Sequence, residues 1–471
     1  MDLFVSTRCP QCGADISFEE ESTVIQCQYC GCALHITGRS GVVRTYVAPR
    51  NDVKRMKQAI HSVMKGANAK GALVSEKALF FAPYWRIKGM LFRWIFGKNV
   101  RGETVKELKT KQLDHTFPAY HGFNLGLRSL GIRPGALKLF FFDRSEMSKL
   151  GSTVKVAVPF KEAVHHGQSL TEVGLDETDM RVQLERTRLI GERYSMIYFP
   201  FWMIKLSVGK EARILILDAV ANQVTRILTQ EQWDEMMAKA AKQPDTVSFK
   251  NVSFIPFKCP NCGWALPMNC FDIIHVCATC QQAWMERGGR FNAVRFEAAA
   301  PPKGGEQALV YLPFWVFQAE IHSNGQALKT VADLHGFSLL FPTRVAESAD
   351  HRPIRFYVPA VSVRNIAALN KLAVGVTQNQ PVFDQMPKEK LSECRLMGVF
   401  LPPKAATGMA DILLCSMTPA SNGNRQHFIQ HANMTISKMH LLWWPFCEQR
   451  LFLRDAICHS GIQKGALAMD G

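Results

Sequence analysis

No run of about 18 apolar residues, the length a helix needs to cross a bilayer, occurs in this sequence. Even the apolar stretch of residues 80–94 is broken by Arg86, Lys88 and Arg93, so no transmembrane segment is expected. The N-terminal residues lack the basic start and apolar centre of a secretory signal. Asp2 stands at once in the chain and paired cysteines arrive by Cys12, so a cytoplasmic location is expected. A Walker A loop is missing too: residues 66–71 have its glycine spacing, but Ala72-Leu73 replaces the Lys-Ser/Thr that holds phosphate and magnesium. The sequence also contains no GxSxG, no HExxH and no GxGxxG after a strand. These absences remove the usual signatures of nucleotide-driven motors, serine hydrolases, zinc proteases and dinucleotide enzymes. No catalytic residue is assigned, and a non-enzymatic protein is expected. Acidic residues are the minority: 56 Lys and Arg against 40 Asp and Glu give 56 − 40, or +16. With 47% hydrophobic and 20% charged residues over 471 positions, the composition is globular rather than disordered, with room for several domains.

Cysteine is plentiful, and its spacing is informative. Eight of the 14 cysteines fall in four CxxC pairs: Cys9 with Cys12, Cys27 with Cys30, Cys259 with Cys262, and Cys277 with Cys280. Fourteen residues separate the two pairs of each set. A secreted disulfide scaffold would be a short, cysteine-dense chain, whereas two-residue spacers let a tight turn aim both sulfurs at one ion. Two such turns complete a tetrahedral four-thiolate site, which favours zinc (Zn2+) or iron over hard cations. Gly13, Gly31 and Gly263 follow three of the pairs, where the turn calls for positive φ, and Gln281 follows the fourth. A closed four-thiolate site leaves no position for water or substrate, so two structural ions are expected, with a redox-switched thiol site or an iron site as the other readings. Cys32, His35, Cys270 and His275 lie close by as alternative ligands or packed residues.

The two sets are offset by 259 − 9, or 250 residues, and further anchors recur in the same order. Ala82-Pro83-Tyr84-Trp85 returns as Leu312-Pro313-Phe314-Trp315, and Phe117-Pro118-Ala119 as Val358-Pro359-Ala360. Val158-Pro159-Phe160-Lys161 returns as Leu401-Pro402-Pro403-Lys404, and Phe199-Pro200-Phe201 as Trp444-Pro445-Phe446. A duplicated unit of about 240 residues follows: a cysteine module, then a larger domain. Residues 198–208 and 311–321 alternate aromatic and β-branched positions and read as strands opened by Pro, with 210–218 returning as a hairpin. Helices are expected over 52–65, from the capping box Thr229-Gln-Glu-Gln232 to about Lys242, and over 177–189. Linkers are expected at 240–247 and 297–305. The fold class expected is α+β, β-dominated. Its parts are zinc ribbon 1 (1–46), a helical linker (47–75), β-rich domain 1 (76–245), zinc ribbon 2 (246–300) and β-rich domain 2 (301–471).

The CPxCG…CxxC modules resemble zinc ribbons. Together with the aromatic-Pro-Phe-Trp repeats they resemble a group of bacterial proteins labelled after the primosomal helicase because of its ribbon. That resemblance implies structural zinc in small hairpin modules, while the missing phosphate loop removes the ATPase half of the analogy. Partners follow from charge and aromatics. Arg86, Lys88, Arg93, Trp94 and Lys98 form one candidate basic-aromatic patch, and Arg128, Arg133 and Lys138 another, suited to bases or to a lipid interface. The bland alternative puts cations outside and aromatics inside a strand. Asp15, Glu19, Glu20 and Glu21 make ribbon 1 an acidic hairpin that would repel phosphate. His165-His166 reads as an extended pair on opposite faces, at the surface. The expected function is a zinc-binding adaptor or scaffold for protein-protein assembly, with contact at the cytoplasmic membrane face open. Nucleic-acid binding is the alternative.

Overall fold

Aromatic and β-branched residues dominate the longest extended runs of the chain, and those runs become the central strands of a β-dominated α+β fold. The computed structural model describes the chain except for residues 1–2, 39–41, 51, 67–72, 132–136, 171–178, 209–210, 243–248, 250–251, 303–308, 339–349 and 469–471. The chain divides into two units. Unit 1 comprises Met1–Lys88, Asp114–Ser169 and Arg193–Pro256; unit 2 comprises Gly89–Leu113, Leu170–Glu192 and Phe257–Gly471.

The strands Leu73–Lys98 and Arg181–Val208 carry the Pro-aromatic-Trp elements Pro83 to Trp85 and Pro200 to Trp202 in the parts that belong to unit 1, residues 73–88 and 193–208. These two strands pair with each other. Strand Glu211–Asp218 returns antiparallel with Phe201 opposite Asp218, and Gln223–Thr229 continues the meander. The amphipathic helix Val53–Gly66 lays Ile60 against Ile204, Leu206, Leu215 and Leu217, which is why its apolar residues recur at helical spacing. Thr229 and Gln232 form the reciprocal capping box, with bonds of 3.0 and 3.2 Å, and open the helix Gln230–Lys242. The first cysteine module is built into this sheet. Its strand Phe4–Arg8 pairs antiparallel with Asp15–Glu19 and parallel with Lys138–Phe141. Val5, Cys9, Ile16 and Cys27 therefore share one core with Phe80, Phe199 and Ile216.

In unit 2, the strand Leu309–Ser323 runs antiparallel to Asn433–Glu448, from Leu309 opposite Cys447 to His322 opposite Asn433. Phe296–Ala298 adds a parallel strand beside Leu441 to Trp443, and Arg355–Pro359 an antiparallel one. The helices Ile366–Asn379 and Pro403–Met417 bury Leu369, Leu372, Val376, Met409, Ile412 and Leu413. The second cysteine module joins this core through Ile274, Ala283 and Met285, and Ile273 donates to the carbonyl of Val399 at 2.8 Å.

The duplication is written into the backbone. Ala119 donates to the carbonyl of Pro83 at 3.0 Å, and Ala360 to that of Pro313 at 2.7 Å. Val158 donates to Ala119 and Leu401 to Ala360, each at 3.1 Å. Ala219 donates to Pro200 at 3.0 Å and Ala456 to Pro445 at 3.1 Å. The motif prolines thus stand inside their strands rather than opening them: each lacks an N–H but still accepts through its carbonyl. Three further expectations need correction. Arg181 to Leu189 lie in a strand, not a helix, because pairing with Leu73–Lys98 overrides the helix propensity of a charged segment; residues 177 and 178 lie outside the described residues. Part of the expected 297–305 linker is the strand Phe296–Ala298. His165 and His166 lie on the helix Phe160–Ser169 rather than on an extended chain.

Candidate metal centres

Each cysteine pair sits in the same turn. The carbonyl of the first cysteine accepts the N–H of the residue four later: Gly13 on Cys9 at 2.8 Å, Gly31 on Cys27 at 2.9 Å, Gly263 on Cys259 at 2.9 Å and Gln281 on Cys277 at 2.8 Å. Its own N–H donates one residue further on, to the carbonyls of Ala14, Cys32, Trp264 and Gln282 at 2.8, 3.0, 2.8 and 2.9 Å. The fourth residue needs positive φ in every copy: +75° for Gly13, +72° for Gly31, +76° for Gly263 and +56° for Gln281. Glycine adopts that conformation freely, and Gln281 does so at a steric cost.

The four turns bring the sulfurs of Cys9, Cys12, Cys27 and Cys30 within 4.8 Å of one another, and those of Cys259, Cys262, Cys277 and Cys280 likewise. Each group could hold a metal ion. Sulfurs about 2.3 Å from a tetrahedral centre lie about 3.8 Å apart. The separations are 3.8 Å for Cys9 to Cys30, 3.7 Å for Cys12 to Cys27, and 3.5 Å for both Cys259 to Cys280 and Cys262 to Cys277. These separations match those of a tetrahedral four-thiolate site, and the donor set fits such an ion. Backbone amides prepare some of the thiolates: the Cys12 amide holds Cys9 down at about 6, and the Gln282 amide does the same for Cys280. Cys12 and Cys262 receive the amides of Ala14 and Trp264, yet burial and the neighbouring sulfurs push both up to about 12. A bound cation relieves that repulsion and allows all four sulfurs to ionise.

The nearby alternatives divide differently. His35 is buried in the strand Ala33–Thr37, and His275 is buried with its ring 4.7 Å from that of Phe257; both are packed residues. Cys270 is exposed and outside both groups. Cys32 is different, with its sulfur 3.2 Å from that of Cys30 and 3.6 Å from that of Cys9.

The first basic-aromatic segment is not an open cationic surface. Arg86, only 5% exposed, makes a two-toothed bond to Asp114 at 2.7 Å for each contact and a third 2.7 Å bond to Glu20. Lys88 is buried and bonds Glu21 at 2.7 Å, and Arg193 lies 3.6 Å from the same carboxylate. Glu20 and Glu21 are thus internal counterions rather than a free acidic hairpin. Within unit 2, Arg93 pairs with Glu185, while Trp94 is buried beneath the ammonium of Lys106 at 5.4 Å. Lys98, Arg128 and Lys138 are exposed, and Arg133 lies outside the described residues. Pairing partners 28, 66 and 67 residues away gave no local signal for this cluster.

Open cavities are also lined by described residues. One of about 350 Å³ in unit 1 is lined by Phe117, Tyr120, His121, Glu162, His165 and His166, with the ring of His166 4.2 Å from Phe117 and 5.7 Å from His115. Burial and the neighbouring His166 depress the pKa of His115. In unit 2, a cavity of about 800 Å³ is bordered by Arg186 and Arg188, both tied to Asp411, and by His322 and His431. Neither brings together a metal-ligating group among the described residues. Two exposed aromatics stand on the cysteine modules: Tyr29 between Cys27 and Cys30, and Trp264 two residues after Cys262.

No helix among the described residues is long and apolar enough to cross a membrane. Comparison with protein-family models, curated proteins and solved structures finds no match to this chain.

Proposed function

We propose that this chain is a non-enzymatic zinc-binding adaptor: two zinc ribbons each hold one structural ion, and the ribbons with their β-rich domains present docking surfaces to a protein partner at the cytoplasmic face of the cell's membrane or in the cytoplasm. Four thiolates at tetrahedral spacing favour zinc and leave no coordination position for substrate. The observation that carries the adaptor reading is the pair of exposed aromatics, Tyr29 at 73% and Trp264 at 66% exposure, each on a hydrogen-bonded, metal-competent turn. Large aromatics in water on a preorganised loop are the side chains that dominate binding energy in protein interfaces. Nucleic-acid binding is weakened because Arg86, Lys88 and Arg93, the centre of the best basic-aromatic segment, are already paired with carboxylates.

The test is affinity capture by the full-length chain from its own cell lysate, with and without nuclease, beside Tyr29→Ala and Trp264→Ala variants and a metal assay. A defined protein partner that survives nuclease and is lost with an aromatic variant is the expected result, with about two zinc ions per chain. Partners that vanish with nuclease would replace this reading with nucleic-acid binding.

A further inference from the structure

The first cysteine module has five sulfurs where the second has four. The 250-residue offset that carries Cys9, Cys12, Cys27 and Cys30 onto Cys259, Cys262, Cys277 and Cys280 carries Cys32 onto Gln282. The extra thiol has an ordered place. Its backbone carbonyl accepts the Cys27 N–H at 3.0 Å and so closes the second turn of the site, as that of Gln282 closes the corresponding turn on Cys277 at 2.9 Å. Its sulfur points at the ligand set, 3.2 Å from Cys30 and 3.6 Å from Cys9, distances as short as those between the ligands themselves. Cys30 is exposed and Cys32 partly so, and an oxidant in solution can reach both. In the second module Cys280 is less exposed, and the side chain at the matching place is an amide that cannot form a sulfur bond.

A tetrahedral ion uses four thiolates, so the fifth is spare. A spare thiol in contact with a ligand sulfur is placed as a resolving cysteine. We propose that the first ribbon is a peroxide-responsive site, with Cys32 the resolving thiol that captures an oxidised ligand and releases the ion, while the second ribbon is a permanent structural site. The Cys30 thiolate attacks hydrogen peroxide: an S–O bond forms, the O–O bond breaks and hydroxide leaves. Cys32 then attacks the Cys30 sulfur: the S–S bond forms, the S–O bond breaks and a second hydroxide leaves. Protonation gives two waters, so two thiols and one peroxide yield one disulfide, the sulfur pair losing the two electrons that peroxide gains. Cys30 is then no longer a ligand, and three thiolates hold the ion more weakly than four. A dithiol reductant reverses the reaction and restores the site.

This inference rests on the metal-binding reading, and the experiment separates the two. Full-length protein carrying zinc is treated with hydrogen peroxide beside a zinc-chelating dye, and the disulfides are mapped by peptide mass spectrometry. The wild type is expected to release about one of its two ions first, with Cys32 in the new disulfide. Cys32→Ser is expected to keep both ions and to slow that first release about tenfold, because the sulfenic acid has no resolving partner. Gln282→Cys is expected to make the second site release its ion at a comparable rate. Equal release from wild type and Cys32→Ser would overturn the proposal, as would a Cys32→Ser protein that fails to hold its first ion, since Cys32 would then be a ligand. A wild type that binds no zinc overturns the metal reading instead, and the disulfide map still decides whether Cys32 resolves oxidation at its neighbour.

Discussion

The indole Nε1 of Trp85 donates to the carbonyl oxygen of Val158 at 3.0 Å, and its counterpart Trp315 donates to that of Leu401 at 2.7 Å. Both acceptors belong to the third repeated anchor of the sequence and both tryptophans to the first. The same side chain thus joins the same two segments in each unit, and leads from a central strand to the helix that follows, Phe160–Ser169 in one and Pro403–Met417 in the other. Trp85→Phe and Trp315→Phe keep most of the apolar volume but take the indole donor from a carbonyl that is buried at Val158 and half-buried at Leu401, and leave a small cavity. Each is expected to cost about 2 kcal/mol. Trp202, whose counterpart is Cys447, is only partly buried and lies beneath the Lys77 ammonium at 3.7 Å. Trp202→Phe is expected to cost below about 1 kcal/mol. Urea midpoints of the three variants decide the order; equal losses would show that the repeated bond has no special weight.

Removing a metal ligand tests how far each ribbon is part of its core. Cys9 and Cys27 are buried in one cluster with Phe80, Phe199 and Phe201, and the strand Phe4–Arg8 that leads into Cys9 pairs with Lys138–Phe141. Cys9→Ser, or chelation of the ion, is therefore expected to loosen the surrounding sheet as well as the ribbon. Hydrogen exchange read peptide by peptide should show lost protection at 138–141 together with 4–19. Loss confined to 4–37 would mean that the ribbon unfolds alone, as its small size in the sequence suggests.

How much was legible follows from the range of each signal. The cysteine groups were readable because two-residue spacing is local chemistry, and the strands at Trp202 and Trp315 because alternation over a few residues is too. The repeat was readable because two copies of one solution can be compared without knowing the solution. Other features depended on residues far apart. Arg86 and Lys88 read as exposed cations because nothing nearby marks Glu20, Glu21 and Asp114 as partners. The segment from Arg181 to Leu189 read as a helix because its residues are helix formers, and its strand partner lies about 100 residues earlier. Asp218 gave no signal at all. Yet its buried carboxylate accepts from Ser129 at 2.7 and 2.8 Å, Val220 at 2.9 Å, and Arg128 and Ala221 at 3.0 Å, and so holds the hairpin turn to the preceding loop.

Gln281 offers a stabilising change. It is the one knuckle position of four without glycine, held at φ +56°. Gln281→Gly removes the steric cost of that conformation while making the unfolded chain more flexible, for a net gain of about 0.5–1 kcal/mol in the second ribbon. Zinc retention against a competing chelator, compared between the two ribbons, measures it. A variant that holds its second ion less tightly than the wild type would show that the Gln281 side chain contributes more than its backbone strain costs.

Acid should open unit 1 through its internal ion pairs. Burial works to raise the carboxyls of Glu21 and Asp114, but Arg193 and Lys88 beside the first and Arg86 beside the second outweigh it and hold both below the usual carboxylate range. The folded state therefore binds fewer protons than the unfolded chain near pH 4, so stability rises with pH there. The contribution is complete above the unfolded values of about 4 and is lost as pH falls through the depressed folded ones. Asp114→Asn should flatten this acid limb, lowering stability at pH 7 and narrowing the gap between pH 7 and pH 3. Arg86→Ala should be the more damaging at neutral pH, by about 3–5 kcal/mol, because it strips Asp114 of its two-toothed partner and leaves Glu20 with Lys88 at 3.8 Å in place of a direct bond. Urea midpoints across this range, followed by tryptophan fluorescence, check both. If wild type and Asp114→Asn lose stability in parallel from pH 7 to pH 3, the acid sensitivity lies elsewhere in the chain.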